Sequence, residues 1–204
     1  MNKSERGPRR KRQEQRDGSI ELLLSAAEQL FVRKGFHATT TEQIGSLAGM
    51  TKGSVYFYFD DKTTVLLRLL EKVETIVLRP LIEKVEDERL DPFERIDTFL
   101  VHMAVLARDN PAMLLLPIIV SLEFAGTGEE PERRVKWGYR RTALALQKAI
   151  LRGQALGLFR ADLSAAQQAS MLVALSDGSM LEWLRSDCGG AGKDLVETLR
   201  RVVL

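Results

Sequence analysis

Apolar residues recur along this chain at the spacing of one helical face, with one short exception. Ile20, Leu23, Ala26, Ala27, Leu30 and Phe31 form a stripe that predicts a first helix over about Gly18–Lys34. Gly35 suits the left-handed residue that ends it, and Phe36 can fold back on the last turn. Thr39 and Glu42 stand at capping-box spacing, so a short second helix should begin there, with Ile44, Leu47 and Ala48 inward and Gly49 at its end. Asp61 can cap a helix from Lys62 that carries Val65, Leu66, Leu69, Leu70, Val73, Ile76 and Val77, runs into the high 80s and bends at Pro80. Beyond Asp91-Pro92 a stripe of Phe93, Ile96, Leu100, Met103 and Ala107 follows. Pro111–Phe124 reads as a buried helix, kinked or interrupted at Pro117. After a loop over Gly126–Pro131, two long helices are predicted, Pro131–Leu156 and Ser164–Arg185, separated at Gly157. A glycine-rich loop over Asp187–Gly192 and a last short helix to Leu204 complete an all-α chain.

The exception is Val55-Tyr56-Phe57-Tyr58-Phe59, β-branched and aromatic, which by propensity alone is a strand. It has no partner strand, and caps flank it on both sides. It therefore reads as the second helix of a helix-turn-helix, with Met50 and Thr51 in the turn. At about 100° per residue, Val55, Tyr58 and Phe59 fall on one side and Lys52, Gly53, Tyr56 and Phe57 on another. The outer side suits DNA. Lys52 and Ser54 can donate to base edges or phosphates, Gly53 allows close approach, and Tyr56 offers a flat ring with a hydroxyl. Lys62, Thr40 and Thr41, at the starts of the neighbouring helices, are placed to meet phosphates. Glu42 can either cap its helix or accept from a cytosine N4.

Charge strengthens this picture at one end. Of the 204 residues, the first sixteen carry seven basic side chains (Lys3, Arg6, Arg9, Arg10, Lys11, Arg12, Arg16) against Glu5 and Glu14, although the whole chain is only +2. That segment, residues 1–16, reads as a disordered basic arm, either an idle solubilising tail or a contact for an anionic polymer. No apolar run reaches the roughly 18–20 residues of a membrane helix, the N-terminus lacks the apolar core of a signal peptide, and a single cysteine, Cys188, permits no internal disulfide. A cytoplasmic protein without membrane association is expected. Two histidines, His37 and His102, make no metal-ligand spacing, and no nucleophile elbow, phosphate loop or dinucleotide fingerprint occurs. No enzyme, cofactor or metal is expected.

Ile20–Leu66 resembles the DNA-binding domain of the tetracycline-repressor (TetR) family of bacterial regulators. The resemblance rests on Ile20–Phe36, on TTTEQIGSLAGMTKGSVYFYF (Thr39–Phe59) and on DDKTTVL from Asp61. More weakly, Gly157–Leu163 and Asp177-Gly178 are similar to features of ligand domains in that family. It implies a homodimeric repressor, released from a palindromic operator by a small molecule, with residues 17–62 as reading domain and 63–204 as ligand-binding and dimerisation domain. It implies that Lys52, Gly53, Ser54 and Tyr56 meet bases or adjoining phosphates, and that Thr40, Thr41, Phe57, Tyr58 and Lys62 line the backbone. Phe57 departs from the family's frequent tyrosine and has no hydroxyl for a phosphate. The candidate pocket residues are His102, Met103, Leu106, Phe124, Trp137, Arg141 and Met171, with His102 and Arg141 as polar members; large soft residues suit a plain core equally well. For the dimer interface the candidates are Ala165, Ala169, Leu172 and Ser176, whose small side chains also suit packing within the chain. A different class stays open: a helical adaptor or sensor whose C-terminal half binds a protein or lipid.

Overall fold

The computed structural model describes residues 7–186. The readings placed on residues 1–6 and 187–204 (the start of the basic arm, Cys188, the glycine-rich loop and the last helix) lie outside the described residues. Those described form nine α-helices and no strand: α1 Gly7–Lys34, α2 Thr41–Leu47, α3 Lys52–Tyr58, α4 Lys62–Val73, α5 Arg79–Val85, α6 Pro92–Asp109, α7 Pro111–Glu123, α8 Glu130–Ala155 and α9 Ala165–Arg185. The chain divides into two units, Met1–Leu69 and Leu70–Leu204, so the division falls inside α4 rather than at its start.

In the first unit, α1 begins well before Gly18. The reading of a disordered arm is corrected for residues 7–16, which are helical. That stretch is held by pairs one turn apart, Arg10 with Glu14 at 2.9 Å and Gln13 with Asp17 at 2.8 Å, rather than by burial. Burial starts at Leu23. Leu23, Ala27, Phe31, Ile44, Val55, Val65 and Leu66 are fully enclosed. Each large apolar side chain among them contributes about 1.5–3 kcal/mol relative to exposure. Leu47, expected inside, lies half exposed.

The second unit centres on α5, α6, α8 and α9, around Leu81, Ile96, Phe99, Leu100, Leu146, Ile150 and Leu172. Phe93 is exposed and Phe99 takes its place in the core, so the inner stripe of α6 is Ile96, Phe99, Leu100 and Met103. Pro117 sits within an uninterrupted α7, and the bend comes before it, where α6 and α7 meet at 101°. The helix from Lys62 does not simply bend at Pro80. Glu74–Leu78 form a π-helical turn, with the Arg79 N–H bonded to the Glu74 carbonyl. Pro80 lacks an N–H and its ring crowds the carbonyl four residues earlier, and the widened turn accommodates both demands. Between α8 and α9, Gly157 has φ +70° and Phe159 lies over Gly153, where a Cβ would meet the ring at 2.1 Å. Gln154 and Gln168 both donate to the Arg160 and Leu163 carbonyls, at 2.8–3.2 Å, closing that loop.

Candidate nucleic-acid interface and ligand cavity

The reading pair α2–α3 is set by short-range chemistry. Thr40, not Thr39, caps α2: its hydroxyl accepts from the Gln43 N–H at 3.2 Å, and Gln43 returns a bond to the Thr40 N–H. Thr39 is buried and donates to the Gly35 carbonyl at 2.7 Å. Glu42 is thereby released from capping. Gly49 turns the chain with φ +69°, and the turn closes onto α2 so tightly that a Cβ on Gly45 would meet the Thr51 carbonyl oxygen at 2.8 Å. Thr51 caps α3 through the Ser54 N–H at 3.2 Å. Asp61 caps α4 through Thr64 at 2.6 Å.

The run Val55–Phe59 is helical up to Tyr58, as its context predicts. Val55 and Phe59 are buried, Tyr58 and Ser54 are intermediate, and Lys52, Gly53, Tyr56 and Phe57 face out. Phe57 is 77% exposed. A Cβ on Gly53 would find only the Thr51 hydroxyl at an ordinary 3.6 Å, so the fold itself does not require glycine there. Tyr56 Oη lies 3.3 Å from Thr41 Oγ1. Lys52 pairs with Glu42 across the two helices and sits 6.0 Å from the Tyr56 ring centre. The Lys52 ammonium holds the Glu42 carboxyl below its ordinary range, and Glu42 raises the lysine in return. Arg12 and Arg16 of α1 border an open groove with Phe57 and Tyr58.

Lys62 needs correction. Its ammonium donates to the Phe36 and Thr39 carbonyls at 2.6 and 2.7 Å, reaches the His37 carbonyl at 3.5 Å, and lies 4.2 Å from the Phe36 ring centre. An ammonium has three N–H groups, and here they are directed at main-chain carbonyls. Lys62 therefore pins the α1–α2 connection, and a phosphate would have to break those bonds.

The second unit holds a cavity of about 90 Å³. Its walls are largely apolar, including Val77, Leu78, Leu81, Phe99, Met113 and Pro117, with Glu74, Arg134, Tyr139, Thr142, Ser176 and Asp177 as polar members. Asp177 and Tyr139 both line this cavity; burial raises both, and the neighbouring Tyr139 hydroxyl partly offsets the rise at Asp177. Of the predicted pocket residues, Met103 and Trp137 line this cavity. The other five do not. His102 is partly buried at its edge of α6 with Nε2 unpartnered, Leu106 packs on Val73, Val77 and Met113, Phe124 is core, Arg141 stacks outside on Trp137 at 5.1 Å, and Met171 is exposed. Tyr139 and Asp177 were missed because their joint burial depends on the packing of α8 against α9, which no local spacing reports. The four dimer candidates are corrected together: Ala165, Ala169, Leu172 and Ser176 are all buried within the chain, Ser176 donating to the Leu172 carbonyl at 2.8 Å. No metal-holding group of acidic, histidine or cysteine side chains occurs among the described residues.

A short capped helix, a tight glycine turn and a second capped helix presenting lysine, glycine and aromatic residues outward define a helix-turn-helix DNA-binding regulator. Residues 23–69 match the family model of bacterial regulatory proteins, tetR family. A crystal structure of the MbdR regulator from Azoarcus sp. CIB is 36% identical, with 91% of this chain and 97% of that one covered and a TM-score of 0.82. The transcriptional repressor BepR of Brucella suis biovar 1 is 27% identical over 186 residues, 90% of this chain and 87% of BepR. SmeT, repressor of a Stenotrophomonas maltophilia multidrug efflux pump, has been solved with triclosan; that structure is 26% identical, over 82% of this chain and 80% of SmeT, with a TM-score of 0.62. The chain belongs to the tetR family of bacterial regulatory proteins.

Proposed function

We propose that this chain is a cytoplasmic, homodimeric repressor that occupies a palindromic operator and leaves it when a small molecule enters the second unit's cavity. The observation that carries the reading is the outer face of α3. Phe57 at 77% exposure and Tyr56 at 50% stand in water on a seven-residue helix whose inner face already satisfies the fold. Lys52, Gly53, Ser54 and Tyr56 are the base-proximal set, with Thr40, Thr41, Phe57 and Tyr58 beside the backbone. BepR is a repressor and SmeT binds triclosan, which supports repression and an effector here by kinship.

Self-association is assigned to surfaces other than the small-residue stripe. Trp137, Leu144 and Leu151 repeat every seven residues along α8 and are 45%, 46% and 53% exposed. Met171, Ala174 and Gly178 are exposed on α9. Apolar positions at heptad spacing suit a helix–helix seam. Two reading heads then meet successive major grooves about 34 Å apart. To take an operator from 99% occupied to 99% free, an effector must favour the released state by about 5.5 kcal/mol.

Selection from randomised duplex DNA tests this reading. A palindrome with half-sites about one helical turn apart is expected. Recovery of no enriched motif would overturn it in favour of a helical adaptor.

A further inference from the structure

We infer that Glu42 and Lys52 act as one unit that reads a single G·C base pair, an inference that rests on the DNA-reading function proposed above. The ion pair bridges α2 and α3 on the same outer side as Tyr56. Both side chains are half exposed, and neither is consumed by the fold: Thr40 and Gln43 complete the cap that Glu42 would otherwise serve. The pair is braced at its base, with Thr41 Oγ1 3.4 Å from Glu42 Oε2 and 3.3 Å from Tyr56 Oη. Each partner favours the charged form of the other.

A charge-neutral pair adds little to phosphate attraction. Its information is the pattern, one donor beside one acceptor at contact distance. The major-groove edge of G·C presents the complement, guanine N7 and O6 as adjacent acceptors followed by the cytosine N4–H donor. An ammonium on O6/N7 and a carboxylate on N4 satisfy that edge without separating the pair. In A·T the acceptors N7 and O4 are divided by the N6 donor, and O4 lies beside the thymine methyl, so the ammonium reaches only one of them. A carboxylate in a phosphate-lined groove is unfavourable unless it accepts a bond, so the same residue that reads cytosine also rejects other edges.

The test compares intact wild type, Glu42→Ala and Lys52→Ala. Each is selected on randomised duplex DNA, then titrated by gel shift on the best site with each G·C pair replaced by A·T. Wild type should lose roughly 5- to 150-fold at one pair per half-site, the factor equivalent to the usual base-contact discrimination. Both variants should lose that preference at the same pair, keep the preferences elsewhere and keep the wild-type melting temperature. Unchanged discrimination in Glu42→Ala, relaxation at different pairs, or uniformly tighter binding to all sequences would overturn the inference. If wild type enriches no sequence, the DNA-reading function fails first and this inference with it.

Discussion

The two units of this chain use their polar groups in opposite ways. In the first, Thr39, Thr40, Thr51 and Lys62 spend their donors and acceptors on nearby backbone, which leaves Lys52, Tyr56 and Phe57 facing out from a fixed frame. In the second, Glu74, Arg134, Tyr139 and Asp177 gather around a cavity whose walls are mostly apolar, and Asp177 holds its proton to higher pH than an exposed aspartate. A fixed exterior suits the recognition of one rigid surface. A partly buried carboxyl gains from any guest that supplies a partner, and an apolar cavity with such a group suits a small guest.

Substitutions can break this contrast. The largest effect is expected from Phe31→Ala, which removes a fully buried ring from the first unit and should cost about 3–5 kcal/mol in chemical denaturation. A loss under about 1 kcal/mol would mean that the frame does not rest on this core. Lys62→Met should cost about 1–3 kcal/mol, because three carbonyls lose a shared donor. Its slope of log affinity against log salt should match wild type. A slope reduced by about one would return Lys62 to the phosphate backbone. Tyr56→Ala should weaken operator binding about tenfold, within the usual range for one base contact, with no change in melting temperature. Unchanged affinity in a gel shift would remove Tyr56 from the reading surface.

The smallest effect concerns Asp177. Its folded pKa is raised above 3.8, so the folded state binds more protons than the unfolded state over the window between the two values. Stability contributed at low pH is therefore lost as pH rises through that window. Asp177→Asn should flatten the fall, seen as melting temperatures that vary less than wild type as pH rises above 3.8. An unaltered pH profile would show that this carboxyl is adequately solvated. Glu132 supplies the opposite sign. Lys136 and the Gly126 and Gly128 N–H groups depress it to about 2, so its contribution disappears only as pH falls from 4.5 through that value.

What could be read in advance follows the range of the interactions. The α2–α3 pair obeys local rules of caps, glycines and a divided aromatic run, and so it was legible before any coordinates. Even there the cap slipped by one residue, because Thr39, Thr40 and Thr41 are chemically equivalent and both Glu42 and Gln43 can close a box. The function of Lys62 was not legible, since its carbonyl partners lie 23 to 26 residues away in a loop whose shape they help determine. In the second unit, apolar periodicity located the helices but not the side of each that borders a void. It could not separate Met103, which lines the cavity, from Phe124, which is solid core. Small residues on α9 suggested an external seam, and they serve instead to bring α9 close to its own chain.

Viewed as coordination chemistry, Lys62 is a monovalent cation on a tether, held in a cage of neutral carbonyl oxygens. Such a cage holds the ammonium by ion–dipole bonds within the chain, and its partial burial weakens screening. Contacts to DNA phosphates behave differently, because every one of them displaces counterions and weakens as salt rises. The reading head should therefore keep its shape at ionic strengths that strip it from DNA, and circular dichroism across such a salt titration should stay flat while binding disappears.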